Sequence, residues 1–283
     1  MSASSQSPQP HRLVVETQGE GRPVVVVPWG PGGFGSLYRW ALQPLARRVQ
    51  LVHWDFRGCG RSTPAARYTM EDDLWDLCSV LDALEGPRPV LLGHSYGGMV
   101  ALYLACEYPE LIDGLVLVNT AARGAALREG LARRKKAMGL REFKRWEHLG
   151  LRAVAGEASG DEKLRWLEIE AGHLVRDPAD VQAILRRVRV NFEVAASVQP
   201  SLQAFDVTKR LGKLEVPALV TAGAHDRILA DAPRDLHLAL PGSAFHRFRE
   251  SAHMPFLEEP LEFHRVVGGW LAALDSTPPS QPA

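Results

Sequence analysis

The sequence predicts an α/β protein: a mostly parallel central sheet flanked by helices, interrupted by an inserted helical cap. Three observations carry that expectation. Short apolar runs alternate with helix-patterned segments as far as Asn119. The pentapeptide Gly93-His94-Ser95-Tyr96-Gly97 stands between an apolar run and a small-residue helical stretch. From residue 121 to about 206 the chain turns charged and helix-prone, after which strand-like runs return.

Taken in order, Val24-Val25-Val26-Val27 reads as a fully buried strand, since four consecutive valines leave no polar face. The loop after it, Pro28-Trp29-Gly30-Pro31-Gly32-Gly33-Phe34-Gly35, is rich in glycine and lets backbone approach another molecule closely. Thr69 followed by Asp72 makes a capping box, and Leu74, Leu77, Leu81 and Leu84 share one face of the helix it opens. Pro89-Val90-Leu91-Leu92 reads as the next buried strand, with Gly98-Met99-Val100-Ala101-Leu102-Tyr103-Leu104-Ala105 as the helix that follows it. Ser95 therefore sits where strand becomes helix. Gly93 and Gly97 leave room for a sharp backbone there, and the Tyr96 N–H begins a helix, where negative charge is favoured.

The strand Leu115-Val116-Leu117-Val118 ends in Asn119. The cap at 121–206 has apolar faces carrying Trp146, Trp166, Leu174, Val181, Ile184, Leu185 and Phe192, and Arg133, Arg134, Lys135 and Lys136 read as a solvated helix surface. The core comprises 11–120 and 207–274, with 1–10 and 275–283 as flexible tails, polar and rich in proline. Val216 to Gly223 reads as a buried strand leading to a loop with Asp226, Ala244 to Phe248 as another, and Ser251-Ala252-His253-Met254-Pro255 as a polar loop ahead of the last helix.

A serine becomes a nucleophile when a base takes its proton and a carboxylate holds that base in the correct tautomer. Ser95, Asp226 and His253 supply the three groups in the chain order serine, acid, histidine. Asp231 competes for the acid but reads as a helix start; His94 and His225 lie near the site without occupying the loop after the last strand. A tetrahedral oxyanion needs two donors, expected from the N–H groups of Tyr96 and Gly30, because Pro28 and Pro31 have none.

These motifs resemble those of the α/β-hydrolases. Within them, Asp55-Phe56-Arg57-Gly58-Cys59-Gly60-Arg61-Ser62 resembles a widespread D-x-R-G-x-G-x-S loop, and Trp29-Gly30-Pro31-Gly32-Gly33 resembles the end of the H-G-G-P-G loop of the prolyl iminopeptidase group. Pro28-Trp29 stands where that group has His-Gly, and Tyr96 where it often has Trp. The resemblance implies acyl transfer through a covalent intermediate, with a small molecule or short peptide as substrate. Three functions remain open: an iminopeptidase-like aminopeptidase, a carboxylesterase or lactonase, and a non-enzymatic small-molecule receptor on the same fold. A perhydrolase is a variant of the second.

For an aminopeptidase the cap is expected to offer carboxylates to the substrate ammonium. Glu147, Glu168, Glu170 and Glu193 are the candidates, with Glu168 and Glu193 taken as substrate-binding together with Trp29 as a wall of the acyl pocket. Arg57 and Arg61 are expected to brace their loop. Activity is expected to rise on the acidic side as the imidazole of the base loses its proton.

Composition adds exclusions. The chain of 283 residues carries 33 Lys plus Arg against 33 Asp plus Glu, with no basic stripe, so no nucleic acid is expected as partner. Cys59, Cys78 and Cys106 lack metal-ligand spacing and read as free thiols of a reducing, cytoplasmic setting; neither metal nor cofactor is called for. No stretch has the length and apolarity of a membrane span, and the sequence assigns no oligomeric state.

Overall fold

Seven strands form one sheet in the computed structural model, which describes residues 12–34 and 36–276. They are β1 (Val15–Gln18), β2 (Pro23–Val27), β4 (Gln50–Trp54), β5 (Val90–His94), β6 (Gly114–Val118), β8 (Ala218–Gly223) and β9 (Ala244–Phe248), in the spatial order β1-β4-β2-β5-β6-β8-β9. Only β1 is antiparallel, with Val15 opposite Trp54; the other six run parallel. A second, two-residue pair joins β3 (Gly33–Phe34) to β7 (Arg189–Val190).

Helices cover both faces of the sheet, which is why its inner strands carry apolar side chains on both sides. Val24, Val25 and Val27 are 0% exposed and Val26 2%, and burying each contributes about 1.5–3 kcal/mol. The flanking helices are α1 (Ser36–Ala41), α2 (Met70–Asp82), α3 (Tyr96–Glu107), α8 (Ala232–Ala239), α9 (Pro255–Glu258) and α10 (Pro260–Asp275). The capping box at the start of α2 is formed, with Thr69 accepting from the Asp72 N–H and the Asp72 side chain accepting from the Thr69 N–H. Its leucines Leu74, Leu77 and Leu81 are buried. Arg57 and Arg61 are both occupied in ion pairs that brace their loop, Arg57 with Asp72 and Asp76, Arg61 with Glu16.

Between β6 and β8 lie α4 (Ala125–Val154), which leaves helical geometry at Gly139, then α5 (Gly160–Leu174), α6 (Pro178–Arg187) and α7 (Phe192–Ala204). The two connections run side by side, the Gly124 N–H donating to the Phe205 carbonyl and the Val207 N–H to that of Ala122. Further ties hold the insertion over the sheet: β3 with β7, the Asn191 side chain on the Gly58 carbonyl at 2.8 Å, and the His253 N–H on the Leu174 carbonyl at 2.9 Å.

The expected tail segments 1–10 and 277–283 lie outside the described residues. Asp275 and Ser276 do not: Asp275 closes α10 and pairs with Arg22. All three cysteines are free thiols.

Candidate active site

Parallel strands deliver their carboxyl ends to one edge of the sheet, the edge at which open α/β sheets take ligands. The loop after β2 brings Trp29 and Gly30 there, Ser95 directly follows β5, Asn119 directly follows β6, and the loops after β8 and β9 carry Asp226 and His253.

Ser95 stands at φ 54, ψ −120, a region a non-glycine residue enters only under constraint. The constraint is visible. Its N–H donates to the Val118 carbonyl of β6, and its carbonyl accepts from the Thr120 hydroxyl at 2.6 Å and from the Gly98 N–H at 3.1 Å. The turn also needs a bare backbone at Gly97, where a Cβ would lie 2.3 Å from the carbonyl oxygens of Val27 and Pro28. This is how a Gly-x-Ser-x-Gly string becomes an elbow: the strand and the helix that follow each other cross too close to β2 for side chains.

His253 is 2% exposed, and its Nδ1 meets Asp226 Oδ2 at 2.9 Å. Asp226 collects further donors, the Asn119 amide on Oδ2 at 2.9 Å and the N–H groups of Ile228 and Leu229 on Oδ1 at 2.8 and 3.3 Å. Burial alone would raise the Asp226 pKa; the adjacent His253 and these hydrogen bonds outweigh it and lower the pKa to about 2. Asp231 precedes α8 at an exposed position, in keeping with a helix start, and the His225 ring directs its Nε2 to the Arg249 carbonyl.

A chain of buried hydrogen bonds runs beneath the pair. The Tyr38 phenol donates to His94 Nδ1 at 2.7 Å, and His94 Nε2 donates to the His253 carbonyl at 2.7 Å. Burial and then the neighbouring His253 hold the His94 pKa well below the ordinary imidazole value, so His94 is neutral in this tautomer. The Asn119 amide also donates to the Ala252 carbonyl at 3.0 Å, and Glu258 accepts from the N–H groups of Ala252 and Met254 at 2.9 and 3.2 Å. The loop bearing His253 is thus held from the sheet, from α9 and, through Leu174, from the helical insertion.

Gly30 lies at φ 140, and a Cβ there would approach the Gly33 nitrogen to 2.8 Å. Gly30, Trp29, Ser95 and His253 all line one cavity of about 590 Å³ between the sheet edge and the insertion. Leu131, Trp146, Leu151, Trp166, Phe192 and Ile228 supply much of its apolar wall.

The cap carboxylates divide. Glu147, itself exposed, and the buried Glu170 line the cavity, whereas the exposed Glu168 and Glu193 do not. Of the four cap carboxylates, the structure brings Glu147 and Glu170, and not the expected Glu168 and Glu193, to the cavity that holds Ser95. Arg134 requires a second correction. It is buried rather than solvated, ion-paired with Glu170 and with its guanidinium carbon 4.8 Å from the Trp146 ring centre. The Trp146 indole N–H donates to the same Glu170 oxygen at 2.9 Å. A run of four basic residues reads as solvated in sequence; packing of α4 on α5 turns the second one inward.

Tyr38 and Glu258 are not legible in the sequence as parts of this region, since nothing in their local sequence sets them apart from core or surface residues. Among the described residues, no cluster of three or more His, Cys, Asp or Glu is arranged to hold a metal ion, and no helix is long and apolar enough to cross a membrane.

Comparison with known proteins matches residues 22–260 to the α/β hydrolase fold family. A proline iminopeptidase of Clostridium botulinum is 30% identical, over 92% of this chain and 93% of its own. In three dimensions the chain is similar to a thermophilic esterase from Thermogutta terrifontis, at TM-score 0.74 and 24% identity over 93% and 94% of the two chains. It is also similar to the enol-lactonase from Burkholderia xenovorans LB400, at TM-score 0.73 and 22% identity over 93% and 97%. These two likenesses concern the fold.

Proposed function

The chain belongs to the α/β hydrolase fold family, and on that premise we propose that it is a serine hydrolase, an iminopeptidase-like aminopeptidase that releases an N-terminal residue from small peptides or amides. The observation that carries the hydrolase reading is the constrained backbone of Ser95 in the same cavity as His253, whose other ring nitrogen is held by Asp226. In this reading His253 takes the Ser95 proton as Ser95 Oγ attacks the substrate carbonyl. Asp226 stabilises the imidazolium that results, and the N–H groups of Tyr96 and Gly30 receive the oxyanion. His253 then returns its proton to the leaving amine, and water repeats the sequence on the acyl-enzyme.

The amide preference is supported by the likeness to the iminopeptidase over nearly the whole chain and by two carboxylates, Glu147 and Glu170, in the cavity that holds Ser95. They attract a free substrate amine while Trp29, Trp166 and Phe192 enclose an apolar residue. One observation favours a carboxylesterase or lactonase instead: Arg134 already neutralises Glu170, and the remaining wall is mostly apolar. A small-molecule receptor would use the same cavity without turnover.

The test compares hydrolysis of a prolyl arylamide and a short-chain nitrophenyl ester by the protein and by Ser95→Ala. Arylamide cleavage that needs both Ser95 and a free substrate amine is expected. Cleavage of the ester alone would replace the aminopeptidase reading by the esterase one, and ligand-induced stabilisation without Ser95-dependent turnover of either would replace both by a receptor.

A further inference from the structure

Three aspartates occupy the first half of α2, and all are buried. Two are matched by cations. Asp76 receives Arg57 Nε and Nη2 at 2.8 and 2.6 Å, and Asp72 receives Arg67 Nη2 at 3.0 Å and Arg57 Nη1 at 3.1 Å. Asp73, 1% exposed, forms no ion pair among the described residues. Its Oδ2 accepts the Tyr96 phenol, and its Oδ1 is enclosed without any partner.

Tyr96 is the residue after Ser95, and its backbone N–H is the proposed oxyanion donor. Its ring is fully buried, set edge-on to Phe56 with centroids 5.8 Å apart, and its hydroxyl is anchored on Asp73. The first residue of α3 is thereby fastened to α2 by one hydrogen bond from below.

We propose that Asp73 is a positioning residue of the oxyanion site: through the buried phenol–carboxyl contact it fixes Tyr96, and with it the direction in which the Tyr96 N–H points. This rests on the serine-hydrolase reading above and deepens it. The groups that face Asp73 are Asp72 and Asp76 from its own helix, Arg57 and Cys59 from the loop after β4, and Tyr96 from α3. Burial pushes the Asp73 carboxyl up to about 8; the Tyr96 hydrogen bond and Arg57 oppose this, and Asp76 and Asp72 reinforce it. The Tyr96 phenol itself is raised well above its ordinary value, by burial first and by Asp73 next, so it remains the donor. At neutral pH the contact joins two uncharged groups. Once Asp73 ionises, a charge lies in an enclosed space with one oxygen lacking a donor and two carboxylates nearby, and α2 and α3 must part to admit water. The elbow rests on that contact, so the oxyanion site loosens on the alkaline side.

The experiment measures kcat and KM from about pH 6 to about pH 10 for the protein, Asp73→Asn and Tyr96→Phe, on whichever substrate shows Ser95-dependent turnover. The expected wild-type result is a fall in kcat of about fivefold or more above pH 8 with KM changed less than about twofold, because the donor acts on charge that exists only in the transition state. Asp73→Asn keeps an acceptor for the phenol but cannot ionise, so its kcat stays level through that range. Tyr96→Phe lowers kcat about tenfold at neutral pH with KM little changed. An alkaline limb identical in Asp73→Asn, or a level wild-type profile, overturns the proposal while leaving the hydrolase reading intact. If Asp73→Asn fails to fold by circular dichroism, Tyr96→Phe decides alone, and an unchanged kcat overturns it. Absence of Ser95-dependent turnover from every substrate overturns the hydrolase reading, and this role with it.

Discussion

Replacing Asp226 by asparagine changes one atom of a buried side chain and is expected to remove nearly all turnover. Two effects add. The carboxylate sits 2.9 Å from His253 Nδ1, and unit charges at that separation attract by about 6 kcal/mol at an effective dielectric constant of about 20. An imidazolium formed during attack on the substrate loses that support, equivalent to roughly four decades of rate at about 1.4 kcal/mol per decade. Geometry contributes the second effect. Four donors converge on Asp226, from Asn119 and His253 on Oδ2 and from Ile228 and Leu229 on Oδ1. Whichever way the substituted amide is turned, its NH₂ group faces two of them. Turning it toward the two backbone donors leaves the charge effect alone; turning it toward His253 forces the imidazole proton onto the nitrogen that must accept from Ser95. The assay is kcat and KM near neutral pH, with circular dichroism to confirm folding. A loss of about 10³–10⁴-fold in kcat with KM nearly constant is expected. A folded variant losing less than about tenfold would refute the assignment of Asp226 as the residue that orients the base.

The same carboxylate predicts an acid limb of stability. Its folded pKa of about 2 lies below the ordinary 3.8, so its contribution is complete above about pH 4, is lost as pH falls toward 2, and is missing from the melting temperatures of Asp226→Asn over that range. Gly97→Ala puts a methyl group 2.3 Å from two carbonyl oxygens of β2 and its loop; the expected outcome is a loss of more than about 4 kcal/mol or an insoluble protein, read by urea denaturation. Glu170→Gln leaves Arg134 buried without its counter-charge, and a destabilisation of about 3–5 kcal/mol is expected. Restoring apolar packing with Arg134→Met in the same chain should recover much of it, and failure to do so would mean that the pair is not the source of the loss.

Much of the site is legible in the amino-acid sequence because its chemistry depends on local backbone. The elbow requires glycines on either side of Ser95, and that requirement is written within five residues. The valine run and the Thr69–Asp72 capping box are equally local, as is the position of His253 in the loop ahead of the last helices. Asn119 shows where such reading runs short. In sequence it is only the residue at which the strand Leu115–Val118 ends, whereas in the folded chain it donates to Asp226 and to the Ala252 carbonyl. Arg134 fails for a related cause: helical periodicity does not say which face of a long, highly charged helix another helix will cover.

Short-range regularities therefore determined the sheet, the elbow and the order of its partners, since strand patterning, glycine at a close approach and loop position are properties of a few neighbouring residues. Tertiary structure alone decided which cap carboxylates line the cavity with Ser95, that Glu170 is neutralised from the preceding helix, that a Tyr38–His94 chain reaches the His253 loop, and that Asp73 lies under the elbow without an ion pair. Each of these joins groups from separate elements, and their proximity is set by how apolar faces pack at long sequence separation, which no local pattern encodes.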